Sequence, residues 1–339
     1  CIKSEFNEFD EAGTYKIHAG GASSVPFRIS ESVYDDLLKD LMKCFYYLRC
    51  GDSLDKKYAG VYYHKPCHLS KAIVYGETAQ PVDICGGWHD AGDYGRYSTA
   101  GAVAAAHLLY GVRFFPDILN VRYDIPKVQC LNGVLPDILA EVKTELDFLL
   151  KMQRSDGGVW HKVTTFSHAP FVMPEDDKEE LFLFNVSSMA TADIAAVLAL
   201  GYTVYKAYDE EYADMLLTAS LKSYDWLAAN PEPLFFKNVP GSNTGEYGES
   251  EDISNRLWAA CALYEATGEK GYYEDIDRQY KALAKYDMQS DRKGYQGSVF
   301  TCMGWADVAG LGSLSLILKG GDDVLSEQPD WHDDSKERA

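Results

Sequence analysis

The sequence has little positive charge and no long apolar run. Its 32 Lys and Arg residues are outnumbered by 52 Asp and Glu residues, which gives a formal net charge of −20. A field of this sign repels phosphate backbones and anionic lipid, so we expect neither nucleic acid nor a membrane surface as a partner. No run of about 18 apolar residues is present, and the sequence predicts no membrane-spanning segment.

Several catalytic signatures are also missing. The chain contains no G-x-S-x-G, no P-loop, no G-x-G-x-x-G after a strand and no H-E-x-x-H. Serine-hydrolase, nucleotide-dependent and metalloprotease functions therefore have no residue support. The eight cysteines are spread thinly over 339 residues, unlike a disulfide scaffold, so metal binding or burial is predicted for most of them.

Aromatic residues, in contrast, are abundant: 24 Tyr, 14 Phe and 6 Trp. Flat amphipathic rings suit sugars, because the C–H faces of a sugar stack on them while its hydroxyls bond to nearby polar groups. Most aromatic residues of a globular chain nevertheless lie in its core. The composition favours a neutral ligand such as a carbohydrate.

The chain changes character near residue 30. Two short β-like runs, 13–17 and 25–29, are separated by Gly20 and Gly21, and helical spacing of apolar residues begins after Ser32. Eight helical segments are predicted, at 33–48, 98–114, 134–153, 187–207, 210–229, 254–267, 271–288 and 303–319. Between them lie long irregular stretches, 50–97, 154–186 and 230–253, and loops of that length are usually functional.

The most informative segment is Cys85-Gly-Gly-Trp-His-Asp-Ala-Gly-Asp-Tyr-Gly-Arg-Tyr97. Asp90 and Asp93 lie three residues apart among four glycines, so a tight turn can direct both carboxylates to one small volume. A carboxylate that orients and deprotonates water is half of an inverting glycosidase, whose other half is a distant acid. The spacing alone is equally compatible with a solvated turn or a calcium site.

The run from Gly86 to Tyr94 resembles the signature of family 9 glycoside hydrolases, which are inverting cellulases built on an (α/α)6 barrel. Further segments agree with the family in order, namely 45–51, 135–143, 149–163, 190–196 and 258–268. The resemblance covers about residues 25 to 319. It implies that Asp93 is the general base and that Asp90 helps to hold the nucleophilic water.

The same resemblance predicts the domain organisation. Residues 1–30 are expected to be the last strands and linker of an immunoglobulin-like module, 31–319 a partial catalytic domain, and 320–339 a polar tail. The fold is expected to be mainly α, an (α/α)6 barrel with about eight of its twelve helices. The missing helices would come from a second chain or an absent C-terminal segment.

Cys50, Cys67, His68 and His89 form a candidate metal site. Two thiolates and two imidazoles suit tetrahedral zinc and leave no open position, as in a structural site. Their spacing is not a zinc-finger pattern and is weak evidence alone. In the branch of family 9 with an immunoglobulin-like module, however, the resemblance implies a zinc ion at these four positions. His64 is a competing ligand, although a loop histidine is the simpler interpretation.

Further residues are weaker candidates for binding. Five aromatic or histidine side chains lie in or beside the family-like loops and could line a sugar cleft, with core packing as the alternative: Trp88, Tyr94, His161, Trp258 and Trp305. The acidic stretches 174–180 and 246–252 could supply oxygen ligands for calcium, which is common in the family. A solvated acidic loop is the simpler interpretation of both.

These observations predict a secreted, zinc-stabilised endo-β-1,4-glucanase. Alternatives are an exo-acting glucosidase or glucosaminidase on the same scaffold, a non-catalytic carbohydrate-binding protein, and an all-α scaffold whose zinc and acidic turn are purely structural. The family's general acid is a Glu in a C-terminal Asn-Glu pair after a His-His-Arg segment. Here the one Asn-Glu pair is Asn7-Glu8, and His332 is the one histidine after His168. We therefore expect this chain alone to hydrolyse glucan poorly or not at all.

Overall fold

The computed structural model describes residues 8–289 and 303–320. This part of the chain contains nine α-helices: α1 Asp35–Tyr47, α2 Lys56–Ala59, α3 Ser98–Phe114, α4 Asp137–Lys151, α5 Ser188–Tyr205, α6 Glu210–Ala229, α7 Ile253–Thr267, α8 Lys270–Gln289 and α9 Ala309–Gly320. Eight of them match the predicted segments, although α9 begins six residues later than expected. The additional helix, α2, is one turn, capped by the Asp55 carboxylate.

The helices form two layers. Along one layer α3 packs against α5, α5 against α7, and α7 against α9. From α4 to α8, each even-numbered helix packs against the odd-numbered helix that precedes it in the chain. Gly312 permits the close approach of α9 to α7, because a Cβ there would lie 3.3 Å from the Trp258 Cα.

Helix α5 lies at the centre of the core. It is apolar on all sides, and 16 of its 18 residues are buried. By length and composition it could cross a membrane, but 89% of it is buried inside the protein. It is therefore the core helix of this fold, and its apolar character is explained by its neighbours.

Helix α1 differs from the pattern that predicted it. The spacing of Val33, Leu37 and Leu41 predicted a buried stripe, but these side chains are 41%, 53% and 53% exposed in the described part of the chain. The helix instead buries Met42 and Tyr46. An apolar face of α1 therefore remains exposed to solvent.

The strands are short. Their bounds are β1 Gly13–Tyr15, β2 His18–Ala19, β3 Ala22–Ser23, β4 Phe27–Ile29, β5 Ile73–Val74, β6 Arg96–Tyr97, β7 Gln129–Cys130, β8 Gly133–Val134, β9 Lys162–Thr164 and β10 Phe182–Leu183. Antiparallel pairs form between β1 and β4, β2 and β3, and β7 and β8. The β-like head of the sequence is thereby confirmed, whereas its assignment to an immunoglobulin-like module stays a prediction. Residues 1–7 and the predicted tail from 321 onward lie outside the described residues.

One four-stranded sheet, ordered β5-β10-β9-β6, gathers the long irregular stretches. Strand β6 follows the Asp90–Asp93 turn and pairs antiparallel with β9, so that Tyr97 lies opposite Lys162. Strand β10 pairs with β9 and, in parallel, with β5. The sheet thus brings segments 50–97 and 154–186 together at one end of the helices.

Candidate active site and metal centre

The Asp90–Asp93 turn is closed by its own backbone. The Asp93 N–H donates to the Asp90 carbonyl at 2.9 Å, and the Asp90 N–H donates to the Gly95 carbonyl at 2.9 Å. Ala91 has a φ of +45°, a left-handed conformation that is uncommon for a residue with a Cβ. Both carboxylates of the turn are half-buried.

Asp93 is oriented by three groups. Its Oδ1 accepts from the Gly95 N–H at 2.5 Å, and its Oδ2 accepts from the Tyr97 hydroxyl at 3.3 Å. The Nδ1 of the exposed His168 lies 3.5 Å from the same Oδ2. These contacts hold the carboxylate in one orientation while leaving part of it accessible.

Asp90 is paired with a distant tyrosine. The Tyr247 hydroxyl donates a hydrogen bond to Asp90 Oδ2, and its ring packs 4.6 Å from that of Tyr97. Burial raises the pKa of Asp90 above its ordinary value, and the Tyr247 hydrogen bond opposes that change. Burial also raises the pKa of Tyr247, which keeps its hydroxyl neutral and able to donate.

Buried Lys162 positions the segment that carries Tyr247. Its Nζ donates to Asn238 Oδ1 at 2.7 Å, Thr244 Oγ1 at 2.9 Å and the Gly245 carbonyl at 2.8 Å. The Gly245 N–H in turn donates to the Tyr97 hydroxyl at 3.0 Å, so that hydroxyl is free to direct its hydrogen toward Asp93. Burial lowers the pKa of Lys162 to about 8.

The four predicted metal ligands lie together. Cys50, Cys67, His68 and His89 are all buried, and one ligand atom from each lies within 4.8 Å of the others. Cys67 Sγ is 3.8 Å from His89 Nε2, which is 3.3 Å from His68 Nδ1. Both cysteines are free thiols. His64 lies outside the group, and its Nδ1 bonds to the Lys65 carbonyl at 2.7 Å.

A pair of extended segments places two of these ligands on one face. Arg49 lies opposite Trp88 in an antiparallel bridge, with the Cys50 N–H donating to Gly87 and the His89 N–H to Leu48. Because side chains alternate along extended chain, Cys50 and His89 point to one face and Arg49 and Trp88 to the other. The pairing explains how residues 39 positions apart reach one site.

The opposite face is held by two buried glutamates of α4. Glu141 accepts bonds from the Arg49 guanidinium at 2.9 to 3.2 Å and from the Trp88 indole at 2.9 Å. Glu145 accepts from the Trp88 backbone N–H at 2.7 Å. Burial raises the pKa of Glu145 to about 8. Polar side chains thus fix the segment that leads directly into Asp90.

Hydrogen bonding and burial shift the pKa values of the cysteine–histidine group. The hydrogen bond between the two cysteines lowers the pKa of Cys50 well below its ordinary value, which favours a thiolate there, and raises the pKa of Cys67. Burial lowers the pKa of His89, which favours the neutral, ligating imidazole. Two sulfur and two nitrogen donors in a buried cluster fit tetrahedral zinc.

Three of the residues predicted to contact substrate are buried. Trp88 is 6% exposed, and Trp258 and His161 are 0% exposed. The Trp258 indole donates to the Tyr110 hydroxyl at 3.1 Å, while His161 stacks on Phe236 and bonds to Ser187 and the Glu246 carbonyl. In the described part of the chain these side chains pack against protein groups, and their contact with a sugar stays a prediction.

The other two predicted contacts lie nearer to solvent. Tyr94 is half-buried, and its hydroxyl donates to the Val172 carbonyl. Trp305 is 36% exposed and packs edge-on against Tyr247, with ring centroids 4.9 Å apart. An open pocket of about 520 Å³ beside the turn is lined by Tyr47, Tyr62, His64, Asp93 and Tyr94, among others.

Neither acidic stretch forms a ligand cluster. Asp177 bonds to His68, and Glu251 accepts from the first backbone N–H groups of α7. Among residues 8–289 and 303–320, the Cys50–Cys67–His68–His89 group is the one cluster of three or more potential ligands. Calcium binding stays a prediction.

Four residues of the site are absent from the sequence-based set: Tyr97, Lys162, His168 and Tyr247. Tyr97 and Lys162 occupy facing positions on β6 and β9, which only the strand register reveals. Tyr247 belongs to the irregular stretch 230–253, for whose acidic part the sequence predicts only a possible calcium site. Because Tyr247 lies 157 residues from Asp90 in the sequence, no local pattern indicates that the two side chains meet.

The helical architecture and the two carboxylates of one turn match what is expected of an α/α-barrel glycoside hydrolase domain. The profile of Glycosyl hydrolase family 9 matches residues 34–336. The chain belongs to glycoside hydrolase family 9, and the predicted barrel architecture is confirmed.

Individual relatives agree with this assignment. A cellodextrinase of Butyrivibrio fibrisolvens is 66% identical over 95% of this chain and 59% of its own length. Endoglucanase D of Acetivibrio thermocellus is 35% identical over 93% of this chain and 49% of its own. The crystal structure of a Zn-binding triple mutant of the family 9 endoglucanase J30 has a TM-score of 0.81 and 31% identity, covering 94% of this chain and 58% of that one. The chain thus spans about half to three fifths of these proteins.

Proposed function

We propose that this chain carries the base half of an inverting β-1,4-glucan hydrolase, with Asp93 as the general base. The observation that carries the proposal is the orientation of Asp93 by Gly95, Tyr97 and His168 beside an accessible pocket. A water bound between Asp90 and Asp93 would transfer its proton to Asp93 as its oxygen attacks the anomeric carbon. Asp90, bonded to Tyr247, would position that water.

The base assignment is tested by two isosteric substitutions. In a form of the enzyme that hydrolyses glucan, Asp93→Asn is expected to lower turnover by about 10² to 10⁴-fold, since an amide cannot accept the proton. Asp90→Asn should cost less, because an amide can still orient water. Near wild-type hydrolysis by Asp93→Asn would show that another residue is the base.

The general acid is proposed to lie outside these 339 residues, because no Asn-Glu pair follows Asn7-Glu8. Loss of proton donation to the leaving sugar costs about 10² to 10⁴-fold in rate. We expect the purified chain to release little reducing sugar from carboxymethylcellulose. Robust turnover would show that the general acid lies within this chain and would contradict the proposal.

The exposed apolar face of α1 is a candidate contact surface for another part of the protein or for a second chain. Leu37 and Leu41 are each 53% exposed, next to Tyr34 at 72%. We propose that a further segment or a second chain covers this face and completes the barrel. Size-exclusion chromatography should show self-association that Leu37→Lys with Leu41→Lys reduces, and a monodisperse wild-type monomer would contradict this.

The names of the relatives are the basis for the substrate preference proposed here. One relative is described as a cellodextrinase and another as an endoglucanase. We propose a β-1,4-glucan with endo action, the exo-acting glucosidase or glucosaminidase being the alternative. Products from cellohexaose and from chitosan oligomers would distinguish them, and binding without turnover would indicate a carbohydrate-binding protein. The expected extracellular location also stays a prediction.

We further propose that Cys50, Cys67, His68 and His89 bind one zinc ion. Their donor set, their burial and their proximity support this. When bound, the ion would cross-link three loops rather than take part in the reaction, because four protein ligands leave no open position. Elemental analysis should give about one zinc per chain, and a Cys50–Cys67 disulfide would overturn the proposal.

A further inference from the structure

Asp177 contacts the metal group from outside it. His68 presents its two ring nitrogens to different partners: Nδ1 lies 3.3 Å from His89 Nε2, whereas Nε2 lies 3.2 Å from Asp177 Oδ2. The side chains of His68 and Asp177 are only 2% and 3% exposed. One nitrogen therefore faces the ligand cluster while the other faces a buried carboxylate.

We propose that Asp177 is a positioning residue of the metal centre, one that selects the His68 tautomer able to ligate zinc and attaches the 165–177 segment to the ion. This inference rests on the proposed zinc site. A neutral imidazole carries one hydrogen. A carboxylate at Nε2 accepts that hydrogen, which leaves the Nδ1 lone pair directed toward Cys50, Cys67 and His89.

The backbone conformation of His68 is unusual and agrees with this orientation. Cys67 and His68 are consecutive residues, and consecutive side chains of an extended chain point in opposite directions. His68 has a φ of +51°, a left-handed conformation that turns both side chains toward one centre. Such a conformation in a residue with a Cβ costs of order 1–3 kcal/mol and persists where surrounding contacts determine it. The Asp177 bond is one such contact.

Asp177 also extends the centre to a segment that flanks the catalytic turn. Residues 165–177 follow β9, and this segment contacts the turn twice: His168 Nδ1 lies 3.5 Å from Asp93 Oδ2, and the Val172 carbonyl accepts from the Tyr94 hydroxyl. Asp177 anchors its far end, where its Oδ1 also accepts from the Glu179 N–H at 3.2 Å. Metal occupancy therefore influences the turn from two sides, through His89 next to Asp90 and through this segment.

Zinc affinity of the purified chain tests the proposal, measured by competition with a chromophoric chelator. Asp177→Asn should weaken zinc binding about 10- to 100-fold, the usual effect of losing a ligand's hydrogen-bond partner. Asp176→Asn is the matched control, since Asp176 is exposed and the substitution removes the same charge one residue away. Its affinity should stay within about twofold of wild type.

Hydrogen exchange supplies the second readout. At saturating zinc, peptides covering 165–177 should exchange faster in Asp177→Asn than in wild type or Asp176→Asn. Wild-type zinc affinity in Asp177→Asn would overturn the positioning role while leaving the zinc site intact. Failure of the wild-type chain to bind zinc would instead overturn the zinc site itself and this inference with it.

A third measurement decides the question if Asp177→Asn fails to fold. Long-range ¹H–¹⁵N spectra of the zinc-loaded wild-type chain report which nitrogen of His68 carries hydrogen. The expected result is a hydrogen on Nε2 and zinc on Nδ1. A hydrogen on Nδ1 would contradict the proposal.

Discussion

Two buried glutamates one helical turn apart should respond to the same substitution with opposite signs. Glu141 and Glu145 of α4 are 0% and 1% exposed, and both bond to Trp88. Glu141 faces the Arg49 guanidinium, which is itself only 7% exposed. Glu145 accepts a backbone N–H instead, and burial raises its pKa to about 8.

Glu141→Gln should destabilise the chain by about 3 kcal/mol, because removing one partner of a buried ion pair leaves the other charge uncompensated. The amide keeps the size of the side chain and one acceptor oxygen. The loss of unfolding free energy therefore reflects the removal of the negative charge rather than a change in packing.

Glu145→Gln should stabilise the chain at pH 7. With a pKa near 8 in the folded state and 4.5 as its ordinary value, Glu145 binds a proton on folding between these two pH values. The native state then carries more protons than the unfolded state, so wild-type stability falls as pH rises through this window. At about 1.4 kcal/mol per unit, the loss reaches about 3 kcal/mol at pH 7 and only about 1 kcal/mol at pH 5.

Glutamine resembles the protonated acid and does not ionise, so Glu145→Gln is not subject to this pH-dependent loss of stability. The Glu145 carboxyl packs closely against Gly101, since a Cβ on Gly101 would lie 2.1 Å from Glu145 Oε1, and glutamine keeps the size of the side chain. The assay is urea unfolding at pH 5 and pH 7, followed by tryptophan fluorescence at fixed saturating zinc. Equal destabilisation by both substitutions at pH 7 would refute the assignment of a protonated Glu145, and a neutral Glu141→Gln would refute the ion-pair argument.

Three further substitutions test the surrounding contacts. Lys162→Met should lower the free energy of unfolding in urea by about 2–4 kcal/mol, since it leaves the buried Thr244 hydroxyl and the part-buried oxygens of Asn238 and Gly245 without their donor. A loss below about 1 kcal/mol would contradict the positioning role of Lys162. Tyr247→Phe should shift the acid limb of the pH–rate profile of an active form to higher pH, because the hydrogen bond from Tyr247 opposes the raised pKa of Asp90. An unshifted acid limb would show that the protonation of Asp90 does not control the rate. His89→Ala should abolish stoichiometric zinc binding and lower the melting temperature. His64→Ala, which changes a residue outside the ligand group, should leave zinc binding intact. Loss of zinc binding in His64→Ala would show that His64 is a ligand.

Eight of the nine described α-helices were predictable because each carries a local signal, either helical spacing of apolar residues or, in α5, a long run of small and apolar residues. The Asp90–Asp93 turn was predictable because it is a short motif, whereas the cysteine–histidine set was predicted through the family resemblance, since its spacing alone is weak evidence. Trp88 shows where this fails: it adjoins His89 in sequence but points to Glu141, since alternate residues of an extended segment face opposite sides. Which side is which depends on the pairing of Arg49 with Trp88, and no local pattern reveals that register.

That pairing also explains how a strained turn can carry two carboxylates. Ala91, between Asp90 and Asp93, has a φ of +45°, a conformation that persists only where neighbouring contacts determine it. One face of the segment leading into Asp90 presents His89 to the cysteine–histidine group, and the other fixes Trp88 on Glu141 and Glu145. Beyond the turn, β6 continues into the sheet opposite β9. The turn is therefore held at both ends, and the strain at Ala91 is offset by contacts that leave the accessible part of Asp93 free for water.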